Sequence, residues 1–447
     1  MVITIGGTSL PGPQTTVRSG HTRAVDAESP GTVALVGEAN LQEGDAEANR
    51  AYAISNSTQA RRRFGQNSKL TEQVEDALGE GGLPVYGLAP EPVLETDVDV
   101  SSGSFPNSPV TEDATNVVFS DGSSTNFEAR ITLGDVANAP DEAGVIFYNP
   151  VRGTVQDKSD VTGLTADYVY HNYDRAFEAL ADQQGDVVDF IVPLTEEESV
   201  VQDAHDTVRA MEQRYNLAMV FAGAPNQLDP TNTAAGEETS VQENSNFDSS
   251  RMQQLYPSRE ADGSIIMGAY GGRRAAIGIN TSVMSKRLHT QKDLIATLSY
   301  GEKVNLDNHQ IVPVADESRG ARIVTDSTMV SDDNSDEAAM RDSLSRLVID
   351  YVIDVENANS EQFIGDLNTK STRDSLQDVI SSELGDLIET NVLESYTVYV
   401  YEKDAVTAGL EIGIDTVDPL RNIAAVVTAG EVQDVADQAS SIESGGF

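Results

Sequence analysis

The 447-residue sequence contains no cysteine and only seven lysines. Without cysteine there can be no disulfide, no thiolate metal site and no cysteine nucleophile. Positive charge is scarce overall, since 29 Lys and Arg stand against 73 Asp and Glu, a formal net charge of −44. Such a chain repels polyphosphate and has no basic stripe to release counterions, which excludes a nucleic-acid-coating role. Docking on an anionic membrane surface is disfavoured on the same ground. No apolar run reaches 18 residues, and no signal-peptide pattern opens the chain. A soluble protein, not exported by that route, is therefore expected.

What is present argues for a folded protein with an acidic skin. Apolar residues make up 39% and fall into periodic segments, which disordered acidic chains do not show. The basic residues are 22 Arg against 7 Lys. An Asp/Glu-rich, Lys-poor surface is the habit of haloarchaeal proteins, so a hypersaline origin is expected. At about 1 M salt the Debye length is only ~3 Å and the self-repulsion is screened.

Along the chain, Val2–Ile5 reads as a short strand in an N-terminal arm over 1–30, where prolines interrupt any core pattern. Thr32–Gly37 is a buried strand. A short helix after Asn56 carries Arg61, Arg62 and Arg63, a second spans Lys69 to Leu78, and a strand covers Leu83–Leu88. The arginine triplet reads as a helix face paired with nearby acids or as a salt-bridge site between subunits. From 91 to 165 short β-like runs among Ser, Asp, Gly and Asn predict an inserted all-β domain. A central α/β domain follows over 166–335, with a helix at Tyr173–Ala181 and a strand at Val187–Val192. Thr195 and Glu198 form a capping box for a helix burying Val201, Ala204, Val208, Met211 and Tyr215. Leu217–Ala222 makes a parallel βαβ unit with the preceding strand. Ser264–Ala269 and Ala321–Thr325 read as strands.

The region 336–428 predicts helices over Ala338–Glu356 and Thr372–Glu389, strands over Tyr396–Tyr401, Leu410–Val417 and Ile423–Val427, and then an acidic tail over 429–447. The fold class is α+β or α/β, multidomain, with extended terminal arms. The search for chemistry returns little. There is no phosphate-binding loop, no nucleophile elbow and no His pair at ligand spacing, and the five histidines are scattered. Asp332, Asn334 and Asp336 start like a calcium loop, but Glu337 and Ser343 break it where the geometry is strictest. Glu196, Glu197 and Glu198 suit a helix N-terminus. A ligand beyond the carboxyl ends of the two central strands, near Thr195 and Asp229, is the one enzyme-like possibility.

In order, these elements resemble those of contractile tail sheath proteins. The carriers are Pro30–Ala39, Tyr52–Ser55, Phe64-Gly65, Leu70, Val74 and Gly81–Tyr86; Tyr173–Ala176 through Asp189–Pro193; and Arg346–Val352, Phe363-Ile364-Gly365, Ile412–Asp415 and Ile423–Val427. The resemblance spans roughly two-thirds of the chain and gives the 91–165 insertion no counterpart. It implies a structural subunit, not an enzyme, that needs no cofactor; no metal ligands are assigned, and metal binding is left open. It further implies stacked hexameric rings and a helical sheath around a tail tube, bounded by a baseplate and a tail terminator, in a virion assembled in the host cytoplasm. With the charge, it implies a halophilic archaeal virus, a related contractile injection system encoded by the host being the open alternative. Inter-subunit arm strands would involve Ile3, Thr4, Ile5, Ile423, Ala425 and Val427, unless these strands complete the molecule's own sheet, and Lys370, Arg373 and Arg421 would face the tube. The other readings are a different virion component, tube or capsid, or a soluble haloarchaeal enzyme.

Overall fold

The computed structural model describes residues 31 to 417, except 122–124, 159–160, 185–186, 215, 235–236, 238, 243, 245–246, 290–292, 319, 332–333 and 335–336. The expected arm residues Ile3, Thr4, Ile5, Ile423, Ala425 and Val427 lie outside the described residues, as do Arg421, Tyr215, Asp332, Asp336 and the tail.

The chain begins with β1 (Val33–Val36) and β2 (Tyr52–Ile54), then α1 (Ser57–Phe64), α2 (Lys69–Gly79) and β3 (Val85–Leu88). β1 is Val-Ala-Leu-Val, apolar on both faces and wholly buried, as a central parallel strand requires. The two helices start where side chains cap them. Asn56 accepts from the Gln59 N–H and Ser68 from the Thr71 N–H, satisfying donors a helix start leaves open. Gly65, at φ 87°, lets the chain leave α1 sharply. Phe64 and Val74 are fully buried beneath, each worth about 1.5–3 kcal/mol of transfer energy.

The insertion follows as β4 (Glu91–Asp99), β5 (Val118–Ser120), β6 (Asn126–Ile131), β7 (Val145–Asn149), β8 (Thr154–Val155) and β9 (Thr165–Asn172). They form one six-stranded sheet, in the order β4-β9-β5-β6-β7-β8. The β rhythm thus runs past the expected limit at 165, because β9 pairs with both β4 and β5. Phe105, Phe119, Tyr148 and Tyr168 fill a core of its own, with the Phe105 and Tyr168 rings 4.5 Å apart.

The α/β layer then resumes with α3 (Tyr173–Gln184), β10 (Phe190–Pro193), α4 (Glu198–Gln213), β11 (Met219–Gly223), β12 (Met252–Tyr256), α5 (Met267–Ala276), α6 (Tyr300–Asn308), β13 (Ile311–Ala315) and β14 (Arg322–Ile323). The large sheet has the order β14-β13-β12-β11-β10-β1-β3-β2. Its six inner strands are parallel, and β2 and β14 close the ends antiparallel. α2 and α5 cover one face, with Leu35, Val74, Phe221 and Tyr270 between them and the strands. α3 and α4 cover the other, over Val36, Phe177, Ile191 and Val208.

Two expectations fail here for physical reasons. Ser264–Ala269 is not a strand; Met267–Ala276 is helix α5, whose glycines give it poor intrinsic propensity. They are needed for packing, since a Cβ on Gly268 would lie 2.3 Å from the Gln73 carbonyl oxygen, and one on Gly272 2.3 Å from that of Ala77. α5 therefore lies directly against the α2 backbone. Thr195 is not the cap of α4 either. Glu197 is, accepting from the Val200 N–H, while the Thr195 hydroxyl accepts from the Glu197 N–H.

The C-terminal part holds α7 (Ser343–Ser360), α8 (Lys370–Glu389), β15 (Leu393–Glu402) and β16 (Ala408–Thr416). α7 starts later than the periodicity suggests, at the cap Asp342, after a 3-10 turn over Ala338–Met340. Leu376, Ile380, Leu384 and Leu387 recur every three or four residues on α8 and pack with Leu393, Val400 and the inward side chains of the β15–β16 hairpin.

Candidate functional site

In an open α/β sheet, ligands bind beyond the carboxyl ends of the strands, where the strand order reverses. Here the reversal falls at β1, flanked by β3 on one side and β10 on the other. The chain leaves β1 into Glu38, β10 into Thr195 and Glu196, and β12 into Ser258 and Arg259. This is the ligand location expected from the sequence, and protein side chains fill it. Arg259 is fully buried. Its Nε lies 3.0 Å from each Glu196 carboxylate oxygen, one terminal nitrogen donates to Glu112 at 3.1 Å, and the other to the Gly263 carbonyl at 2.7 Å. The Ser258 hydroxyl donates to Glu196. Asp229, the other expected ligand contact, caps a turn by accepting from the Thr231 N–H.

The rest of this network comes from the insertion. Lys69 of α2 reaches Glu112 at 2.7 Å. Thr111 donates its hydroxyl to Glu38, and the Glu112 N–H donates to the other Glu38 oxygen at 3.2 Å. His171, buried on β9, lies 3.5 Å from Glu38. Burial opposes charge on Glu112, but Lys69 and Arg259 outweigh it and hold the carboxyl down at about 2. Burial likewise opposes charge on Glu38, and nearby His171, the Thr111 hydroxyl and Lys69 together bring it below its ordinary value. Burial would lower the Arg259 pKa, yet Glu196 and Glu112 raise it. The switch point thus works as a socket for the insertion. Glu196, read from sequence as helix-terminal charge, is part of that socket.

A second buried fork joins the C-terminal helices to the sheet. Arg251, fully buried, pairs with Asp350 of α7 through two hydrogen bonds of 3.1 Å and with Glu212 of α4 at 3.0 Å. Arg346 adds a further ion pair to Asp350. Burial opposes charge on Asp350, and Arg251 and Arg346 overcome it, so the carboxyl stays below its ordinary range.

A shallow cleft lined by Glu72, Asp76, Glu260 and His289 lies beside α2. Burial, then the charges of Glu72 and Glu260, push Asp76 up to about 7. Among the described residues no group of His, Asp or Glu is arranged to hold a metal ion. No helix is long and apolar enough to cross a membrane among the described residues.

The β15–β16 hairpin is the other feature set apart from the large sheet. One face packs on α8, and neither strand has a second partner among the described strands. Its outward face presents Tyr399 and Tyr401, stacked with centroids 5.5 Å apart. The two basic residues expected at this end differ sharply. Lys370 has an 82% exposed side chain and pairs with Asp374 at 2.6 Å. Arg373 is only 13% exposed, donates to the Asn368 side-chain oxygen at 2.7 Å and pairs with Glu402 at 3.2 Å. Arg61 takes Glu75, while Arg62 and Arg63 both take Asp45, so the triplet has acidic partners within its own chain.

No protein-family profile and no curated protein matches this sequence. Solved structures do match. The helical sheath of the anti-feeding prophage in its contracted state aligns with 95% of this chain and 100% of its own, at 15% identity and TM-score 0.55. The sheath complex of PVC, an extracellular contractile injection system, covers 97% and 99% at 14% identity and TM-score 0.53. The sheath tail protein of Listeria innocua covers 90% and 94% at 10% identity and TM-score 0.54. Over nearly its whole length, the chain has the fold of contractile tail sheath proteins.

Proposed function

We propose that this chain is a structural subunit of a contractile tail sheath. It polymerises as stacked hexameric rings around a tail tube and drives the tube forward by relaxing to a shorter, wider lattice. The observation that carries this reading is the length of the fold match, 95% of this chain against the whole of a sheath subunit. A contact-driven conversion needs no cofactor and no catalysis. The buried sockets at Arg259 and Arg251 favour rigid-body motion, because they tie the insertion and the C-terminal helices to one sheet.

In this reading the open edges of β15 and β16 receive strands from neighbouring copies, through Ile3, Thr4 and Ile5 of one arm and Ile423, Ala425 and Val427 of the other. Main-chain pairing of this kind tolerates large rotations of the bodies it links. Lys370, Arg373 and Arg421 stay proposed for the tube side. Lys370 is the one to test first, because Arg373 already braces the α8 start. The assembly meets a baseplate and a tail terminator at its ends, and forms in the host cytoplasm before it becomes part of a particle. The charge of −44 fits a halophilic archaeal virus, where about 1 M salt screens repulsion between packed copies.

Negative-stain microscopy of the purified protein at high salt tests the reading. Hollow tubes are expected, and a monomer or small oligomer under the same conditions would overturn it. Removing residues 1–15 should abolish tubes and leave the circular dichroism of the subunit unchanged. Lys370→Glu should keep tubes but weaken co-sedimentation with tail tubes; unchanged co-sedimentation removes this residue from the tube side.

A further inference from the structure

In so acidic a chain, helix α1 is an exception. Arg61, Arg62 and Arg63 follow one another on it, and it holds no acidic residue. Their partners are fewer than they are. Arg61 takes both oxygens of Glu75, and Arg62 and Arg63 divide the single carboxylate of Asp45, at 3.4 and 2.9 Å. Arg63 also lies over the Tyr52 ring, 4.7 Å from its centroid. Arg62 has neither a ring nor a hydrogen bond among the described residues, and its side chain is 62% exposed. A guanidinium carries five donors, and those of Arg62 are met only by the shared Asp45 carboxylate at 3.4 Å among the described residues.

Far along the same sheet, α6 shows a complementary surface. It packs on β13 and turns Tyr300 and Val304, one helical turn apart, to the outside, 83% and 40% exposed. Between them in sequence, the Glu302 carboxylate accepts from the N–H of the cap Ser299 and makes no ion pair among the described residues. A bare tyrosine beside a valine and a carboxylate is what an arginine surface can cover, by stacking on the ring and pairing with the acid.

The two surfaces cannot meet within one molecule. α1 lies beside β2, the terminal strand, and α6 beside β13, six strands away, or about 30 Å at the usual strand spacing. A contact that joins two different patches on two copies is heterologous, and it either closes into a ring or runs on as a helix. We propose that a second copy of this chain docks head to tail at these surfaces, with Arg62 of one copy on Tyr300 of the next and Glu302 beside the arginine row. High salt screens the long-range repulsion of acidic copies, while a charge pair enclosed by the contact is screened much less than an exposed one.

The inference rests on the sheath reading for the ring or helix that it builds, and the test separates the two. The absence of cysteine makes the chain a clean background for cross-linking. With cysteine at both positions, Arg62→Cys with Tyr300→Cys, mild oxidation at high salt should give a covalent ladder extending past dimer. Either single variant should give dimers at most. Tubes without a ladder would overturn this contact and leave the sheath reading standing; a ladder without tubes would do the reverse. As a second measure, Arg62→Glu should raise the concentration needed for assembly about tenfold, and adding Glu302→Arg should restore it. An Arg62→Glu protein that assembles like the parent, with parental circular dichroism, would also overturn the proposal.

Discussion

Strand β4, at the edge of the insertion's sheet, carries Pro92, a register shift between Glu95 and Val98 with Asp97 at φ 54°, and acids at 91, 95, 97 and 99. Strand β15, in the hairpin, runs Leu-Glu-Ser-Tyr-Thr-Val-Tyr-Val-Tyr-Glu, rich in aromatic and β-branched residues and without proline. A proline removes a ladder donor, a bulge twists the edge away and charge repels a partner, so β4 is defended against strand addition. β15 has the composition of a strand that pairs readily. The insertion also has a six-stranded sheet with its own aromatic core, while the hairpin has two strands and one covered face. A two-stranded sheet is marginal by itself. The insertion is thus a finished body and the hairpin an unfinished one.

The largest expected effect comes from unplugging the finished body. Arg259→Ala would leave the buried Glu196 charged without its guanidinium and Glu112 with Lys69 alone, a loss of about 3–5 kcal/mol. Urea unfolding should show it. Hydrogen exchange should rise first at Thr111, Glu112 and β9, with β15 and β16 unchanged. Equal loosening of both regions would break the comparison. Next comes Phe119→Ala, which empties the centre of the insertion's core and should cost about 3–4 kcal/mol in the same assay.

How much of this was legible follows from where the signals sit. α1 and α2 announce themselves through Asn56 and Ser68 at their starts, and α8 through apolar residues every three or four positions. Those signals are local. α5 was missed because Gly268 and Gly272 answer to a backbone contact with α2, a tertiary demand that overrides propensity. β12 was missed because Gln253 and Gln254 interrupt its apolar pattern. Gln253 is nonetheless buried, its amide donating to the Asp326 carbonyl and accepting from the Tyr270 hydroxyl. The socket was illegible for another reason. Glu112 and Arg259 lie 147 positions apart, and among 73 carboxylates no spacing marks out Glu38, Glu112 or Glu196.

Acid should loosen the insertion's socket by a smaller amount. The Glu112 carboxyl has an ordinary value of 4.5 and is held at about 2 in the fold; Glu38 is also held down. A depressed carboxylate contributes stability that is full above its unfolded value and drains as pH falls through the folded one. The insertion's attachment should therefore weaken between about pH 4.5 and pH 2. Glu112→Gln should flatten the urea midpoint across that window, whereas an equal slope in parent and variant would place the acid response elsewhere.

The smallest effect on the fold is expected where the hairpin is open. Tyr399 is an aromatic on a β-strand, as Phe119 is, but it is 60% exposed. Tyr399→Ala should change subunit stability by no more than about 0.5 kcal/mol, because exposed substitutions seldom do more. Its partner Tyr401 lies over Gly409, where a Cβ would sit 2.4 Å from the ring, so the hairpin keeps that cover after the change. If the outward face is completed only in the assembly, the cost appears there, as fewer tubes at a given protein concentration. A variant that lost stability as a free subunit, and assembled normally once folded, would show that the hairpin is already complete within one chain.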